Sequence, residues 1–382
     1  MSAKSMTNSL TLEKIIISAQ YFLYFGVMGI FLPYFNLYCY HIGFSGFQIG
    51  TLSALRSVTL VLFSMILGAL ADHFHIRKTI YILCNFISMG IWSLYLLTTD
   101  FYPMLFITLI YGIFYSPIIS FLEAFTMDIL GKEKRTYGKV RVWGSLSFIA
   151  TVILLGRIID LYSIKIIIIL ILTGSFIQAF FAIGVPDIKV NKKASFLSGA
   201  KSFLNKRVIL FLTSAFLMLV SHGTYYGFFS IHLEQLGFGK TFIGITWALA
   251  SVSEIIVMIN SEKIFKRFSI DNILFFSFMV AALRWFILFF AHSPVIIIIS
   301  QLLHAVTYGT FHIASILYID MLSPDEAKTM GQAINNAVTY GVGMMVGFFV
   351  SGYLYESIGS FSMFMMSSII ALAGGILLKA VK

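Results

Sequence analysis

The stretch FLEAFTMDILGKEKRTYGKVRVWG, Phe121–Gly144, decides the fold. It reads as two apolar segments joined by the polar turn Gly131-Lys132-Glu133-Lys134-Arg135, with Glu123 and Arg141 nine residues to either side of Lys132. At a helical rise of about 1.5 Å per residue, both stand about 14 Å from the turn, near the middle of an apolar layer about 30 Å thick. A charge at that depth costs roughly 3 kcal/mol even on the lenient insertion scale, so isolated charges there are hard to keep. Arg284 and His304 repeat the arrangement, ten residues to either side of Pro294 in the turn His292-Ser293-Pro294. Ionisable groups at matched depth on neighbouring helices imply a polar, water-accessible cavity, which is where transporters hold their cargo.

Composition points the same way. Hydrophobic residues make up 59% of the 382-residue chain and charged residues 11%, against about 25% charged in an ordinary soluble domain. Mean hydropathy is +0.93. Apolar runs follow one another with short turns, and each is long enough to span a bilayer as a helix. Twelve are expected, over residues 13–40, 46–72, 79–99, 101–129, 139–160, 163–185, 208–233, 241–261, 271–291, 294–320, 327–354 and 359–380. The first run is too long for the core of a signal peptide and lacks a small-residue cleavage site, so it is expected to remain as the first span.

A net charge of +10 would suggest nucleic acid in a soluble protein, but its placement excludes that reading. Of 26 Lys and Arg, twenty fall on one side of the predicted spans. Only Arg157, Lys165 and Lys240 fall on the other, and Arg56, Arg141 and Arg284 lie inside. The positive-inside rule then puts both termini in the cytoplasm, in keeping with an even number of spans. Cys39 and Cys84 sit in apolar segments and are expected as free thiols.

The longest polar stretch divides six spans from six. It predicts an N-terminal six-helix bundle over 1–185, a cytoplasmic linker over 186–207 and a C-terminal six-helix bundle over 208–382. Basic turns at Arg77-Lys78 and Lys266-Arg267 recur about half a chain apart, a hint of parallel duplication. Enzyme motifs are missing: there is no HExxH, GxSxG or CxxC. Gly239-Lys240-Thr241 looks like the end of a phosphate-binding loop, but Glu234 stands where its first Gly belongs. Gly343-Met344-Met345-Val346-Gly347 has the spacing of close helix packing. Pro33 and Pro117 fall inside spans and would kink them.

Several of these residues carry a resemblance. Gly68-Ala69-Leu70-Ala71-Asp72 followed by Arg77-Lys78 resembles the loop between helices two and three of the major facilitator superfamily, with His73 and His75 standing where Arg and Gly are usual. Glu123-Ala124-Phe125 with Tyr137 to Gly144 resembles the helix 4–5 hairpin of the lactose permease / phenylpropionate permease branch, as do Arg284 and His304 in spacing. Ser221 to Phe228 and Trp247 to Glu254 look closest to the phenylpropionate side of that branch. The resemblance covers essentially the whole chain. It implies an all-α membrane protein of 12 transmembrane helices in two six-helix bundles with pseudo-two-fold symmetry, in the cytoplasmic membrane of a bacterium. It also implies proton-coupled symport of a small organic solute (a sugar, a nucleoside or an aromatic acid such as phenylpropionate) by alternating access. A uniporter or efflux antiporter of the same fold is the alternative, and a membrane enzyme is disfavoured. The implied partners are the solute, protons and the bilayer, with no nucleic acid. No cofactor is implied beyond the proton gradient, and a monomer is expected.

The site residues carry two readings each. Glu123 and Arg141 either orient substrate, since Arg offers a planar fork of donors and Glu accepts from hydroxyls, or only pin one helix to the next. Thr307 replaces a carboxylate of that branch and Tyr340 a lysine, which leaves Glu254 as the candidate proton carrier unless a basic neighbour holds it permanently. His304 could bind substrate, carry the proton or be a satisfied core histidine. His222 and His312 pose the same choice. Arg56 either lines the cavity or stabilises it. Trp143, Tyr225, Tyr226, Trp247 and Tyr308 could stack on a ring of the solute or simply face core or lipid. Asp72, Arg77 and Lys78 are expected to form a cytoplasmic gate, the alternative being a solvated loop.

Overall fold

Inside a bilayer every backbone N–H and C=O must find its partner within the protein, so apolar runs of this length become helices. The computed structural model describes residues 3–186 and 203–380, and among the described residues there is no β-strand. Ten spans follow in order: α1 Leu12–His41, α2 Gly46–Phe74, α3 Arg77–Leu96, α4 Phe101–Leu130, α5 Tyr137–Leu161, α6 Ile166–Ile183, α7 Lys206–Gln235, α8 Lys240–Arg267, α9 Ile270–Phe290 and α10 Pro294–Leu322. The last apolar stretch, Met330–Lys379, runs for 50 residues, more than twice the about 20 needed to cross. Gly359 breaks it by adopting φ +72°, a left-handed conformation that glycine reaches without a Cβ penalty. The exposed residues 356–359 make a turn between α11, 330–358, and α12, 360–379. Twelve spans result among the described residues. Of the expected linker 186–207, residues 187–202 lie outside the described residues.

Proline and π-turns shape individual spans. α4 breaks at Ser116 before Pro117, whose ring cannot donate to the preceding turn. Ser116 Oγ instead donates to the Gly112 carbonyl, and Ser64 Oγ donates to the Ser116 carbonyl at 2.9 Å. α1 continues through Pro33. α10 and α11 each contain a π-helical segment, Ala305–Thr310 and Asn336–Gly343. Such segments insert a residue into the helical phase and recur at functional sites.

The chain forms two compact units, Met1–Tyr38 with Thr59–Lys192, and Cys39–Val58 with Lys193–Lys382. The first has a core of Tyr21, Tyr81, Phe121, Leu122 and Phe125. A buried amide network ties α1, α3 and α6 together: Tyr81 Oη donates to Gln20 Oε1 at 2.8 Å, Gln20 Nε2 to the Gln178 carbonyl at 3.2 Å and Gln178 Nε2 to Asn85 Oδ1 at 3.1 Å. In the second unit, α7 and α11 cross at Gly223 and Gly347. A Cβ on Gly223 would lie 2.3 Å from the Gly347 carbonyl carbon, so only glycine permits the approach. The GxxxG spacing thus packs helices. The adjoining ends of α1 and α2 group with this unit because Phe47 packs against Phe349 and Glu356 accepts from the Gly46 N–H at 2.8 Å. His41 there meets Glu234 at 2.8 Å, and Lys240 pairs with the same carboxylate. Cys39 and Cys84 are buried free thiols.

Candidate functional site

Among the described residues, Arg284 is the largest charged side chain buried at 0% exposure. Burying an unpaired guanidinium would cost several kcal/mol, so its partners define the site. Nη1 donates to His304 Nδ1 at 2.6 Å and to Thr307 Oγ1 at 3.2 Å, and Nη2 donates to Gln301 Oε1 at 3.2 Å. The guanidinium also lies 4.4 Å from the Tyr225 ring centroid and 4.6 Å from that of Trp285, two cation–π contacts in a dry setting. Thr307 therefore serves as an acceptor for Arg284 where the resembled branch has an acid.

His304 fixes the rest. Arginine can only donate, so Nδ1 of His304 must accept and the ring proton sits on Nε2. Nε2 lies 2.7 Å from Glu254 Oε1, and a neutral imidazole thus joins a cation to a carboxylate on α8. The His304 ring stacks on Tyr308 with centroids 5.3 Å apart. Farther along α10, His312 Nδ1 meets Tyr340 Oη on α11 at 2.6 Å.

Aromatic residues enclose this relay. Tyr225 Oη donates to Gln301 Oε1 at 2.9 Å, and Trp247 Nε1 donates to Ser230 Oγ at 3.0 Å. Tyr226 packs edge-on to both His304 and Tyr308. His222 contacts Trp285, Tyr226, His304 and Tyr308. Its Nδ1–H donates to the Met218 carbonyl at 2.8 Å, which leaves Nε2 as a bare acceptor. That atom and the Arg284 Nε–H are buried without a hydrogen-bond partner. The second unit therefore offers one spare acceptor and one spare donor beside an aromatic wall.

The first unit holds the other charged pair. Arg141 lies 3.8 Å over the Phe25 ring centroid and 5.3 Å over that of Tyr21. Glu123 is exposed on α4 and feels the Arg141 charge, but the two close no direct ion pair. Thr126 Oγ1 donates to Tyr21 Oη at 3.2 Å below them. The pair is thus not a sealed structural bridge, since the carboxylate remains open to a partner.

Of the residues singled out in the sequence, His222, Tyr225, Tyr226, Trp247, Glu254, Arg284, His304, Tyr308 and His312 come together in one cluster of the second unit. Arg56 stands apart from it, partly buried on α2 and close enough to Cys39 for its charge to act on that thiol. Trp143 does not join Arg141. Two residues along a helix turn the side chain by about 200°, and Trp143 lines an outer groove with Lys14, Phe22 and Phe181. Asp72 pairs with Arg77, and Arg77 Nη1 reaches Asp128 Oδ2 on α4 at 3.3 Å. Lys78 is next to them, without an acid partner among the described residues. His75, in the position where the resembled motif has Gly, adopts φ +55°. Gln301 and Trp285 escaped the sequence reading. Gln301 sits one turn before His304, on the same face of α10, and that spacing is the signal that could have found it.

Residues 14–366 match the MFS_1 like family. The chain is 25% identical over 360 residues to the probable 3-phenylpropionic acid transporter of Escherichia coli, covering 92% of this chain and 93% of that one. It is 26% identical over 333 residues to the uncharacterized transporter YwbF of Bacillus subtilis, covering 86% and 83%. The crystal structure of the nucleoside transporter NupG superposes with a TM-score of 0.86 at 19% identity, over 97% of this chain and 98% of that one, which shows a shared fold. With twelve apolar spans among its described residues, the chain therefore belongs to the MFS_1 like family of major facilitator transporters: it is a multi-pass membrane protein that carries small solutes, and not an enzyme.

Proposed function

We propose that the protein is a proton-coupled symporter of a small aromatic carboxylate, working by alternating access in a bacterial cytoplasmic membrane with both termini inside. The observation that carries this reading is the relay in which His304 bridges Arg284 and Glu254, at 2.6 and 2.7 Å. With Glu254 ionised the relay has no net charge. A proton on Glu254 leaves the Arg284 charge uncompensated, and the site then favours an anion. Binding of proton and carboxylate thereby become mutually supportive, and by linkage each raises the affinity for the other by the same factor.

The remaining residues take roles around that exchange. Arg284 presents its spare Nε–H to the carboxylate, and His222 Nε2 accepts from a polar group of the solute. Tyr225, Tyr226, Trp247 and Tyr308 provide the wall for an aromatic ring. Within the first unit, Glu123 and the partly buried Arg141 are held as charges that reach water, which costs far less at mid-span than facing acyl chains. Asp72 and Arg77, with Lys78 beside them, act as a cytoplasmic latch, and Arg56 and His312 line the path. Similarity to the probable 3-phenylpropionic acid transporter supports the choice of solute.

Uptake of radiolabelled 3-phenylpropionate, a nucleoside and a sugar into cells expressing the protein tests this directly. The aromatic acid should accumulate and a protonophore should abolish that accumulation. Protonophore-insensitive equilibration would favour a uniporter, and preference for the sugar or nucleoside would reject the solute.

A further inference from the structure

The outer groove of the first unit has no part in the relay, and its chemistry is that of a lipid headgroup site. It has a volume of about 570 Å³ and is formed by the beginnings of α1 and α5 and the end of α6. Those three helix ends lie on the same side of the membrane, because α1 and α5 enter the bilayer where α6 leaves it. Phe22, Trp143 and Phe181, 45%, 48% and 50% exposed, form its apolar wall. Lys14 and Lys139 also line it, each in the first turns of its span. An exposed indole beside lysines at a helix end is the arrangement that sits at headgroup level, ring in the interface and ammonium reaching out of it.

We propose that this groove binds an anionic phospholipid, with its phosphate on Lys14 and Lys139 and an acyl chain along Phe22 and Phe181. Charge selects the headgroup. Lys14 Nζ donates one hydrogen bond to Glu133 at 2.7 Å, and an ammonium has three donors. Glu133 is 62% exposed, so its pair with Lys14 is a weak competitor for phosphate. Lys139 pairs with no acid among the described residues. Two ammonium groups against one exposed carboxylate leave the groove positive. A zwitterionic headgroup adds no net charge to meet that excess, whereas phosphatidylglycerol does. The inference stands independently of the transported solute and its coupling.

The position of Trp143 supplies the readout, because Trp92, Trp247 and Trp285 are buried. The full-length protein is reconstituted in phosphatidylethanolamine vesicles carrying equal fractions of either brominated phosphatidylglycerol or brominated phosphatidylethanolamine. The Trp143 contribution to quenching is obtained by difference from Trp143→Phe. Brominated phosphatidylglycerol should be preferred by roughly fivefold or more, the effect of a single lysine at an anionic surface. Lys14→Gln/Lys139→Gln should bring the two lipids to parity, and Glu133→Gln should widen the preference, a change of opposite sign that misfolding would not produce. Equal quenching by the two lipids in the native protein would overturn the proposal. So would a preference that survives the double lysine variant, or one that narrows in Glu133→Gln.

Discussion

His304 Nε2 and Glu254 Oε1 lie 2.7 Å apart, although the residues are fifty positions apart in the chain and belong to different helices. The bond places the acid that α8 carries at mid-membrane in one circuit with Arg284. Removing Glu254 from this circuit leaves the buried Arg284 charge without its counter-charge, and losing one partner of a buried pair costs about 3–5 kcal/mol in proteins.

Arg284→Lys should cut uptake by at least an order of magnitude. Lysine keeps the charge but lacks the planar fork that reaches His304, Thr307 and Gln301 together, and it stacks less well between Tyr225 and Trp285. Initial rates of labelled 3-phenylpropionate uptake, normalised to membrane expression, measure this. A variant with native rates would show that the fork is not required.

Gln301→Leu should destabilise the protein by about 1–3 kcal/mol, because it removes the acceptor of both Tyr225 Oη and Arg284 Nη2. In detergent this should appear as a lower melting temperature, by several degrees, together with a raised KM. An unchanged melting temperature and KM would mean that both donors find other partners.

Much of this is legible in the sequence, for physical reasons. Periods of high hydropathy longer than a bilayer is thick fix the spans, and the matched depths of Arg284 and His304 about Pro294 foretell their contact. Glu254 is harder to place, since nothing in a single helix reveals its register against another. The π-helical segment Ala305–Thr310 adds to the difficulty by shifting the phase of α10 just past His304. Gln301 is easily overlooked as an uncharged amide in an apolar run. Trp143 misleads when aromatic character is weighed without helical phase, because its two-residue offset from Arg141 already points it away. The breaks inside the long apolar runs are simpler to read: Pro117 announces the kink in α4, and Gly359 announces the turn before α12.

Gly347→Leu should abolish folding or lower stability by about 1–3 kcal/mol or more, as overpacking does. Even a lone Cβ at this position would lie 2.7 Å from the Val220 carbonyl oxygen and 3.0 Å from Gly223 Cα. Fluorescence-detected size exclusion after heating reads the effect. Native heat tolerance would show that α7 and α11 can separate at no cost.

Asp72→Asn should favour the inward-open state by about 1–3 kcal/mol, the usual size of a conformational coupling. Arg77 keeps Asp128 as a second partner at 3.3 Å, so the latch should weaken rather than vanish. Labelling of single cysteines in the inner cavity should accelerate while substrate affinity stays within a few fold. Unchanged labelling would reduce the Asp72–Arg77 pair to a packing contact.

The most direct measurement follows protons and solute together in proteoliposomes made with native protein or Glu254→Gln. Adding 3-phenylpropionate outside should acidify the lumen of vesicles holding the native protein, as read by a trapped pH dye. The Glu254→Gln protein should give no acidification and no uphill accumulation, yet still exchange labelled for unlabelled solute. Equal acidification by both proteins would contradict the assignment of Glu254 as the proton carrier.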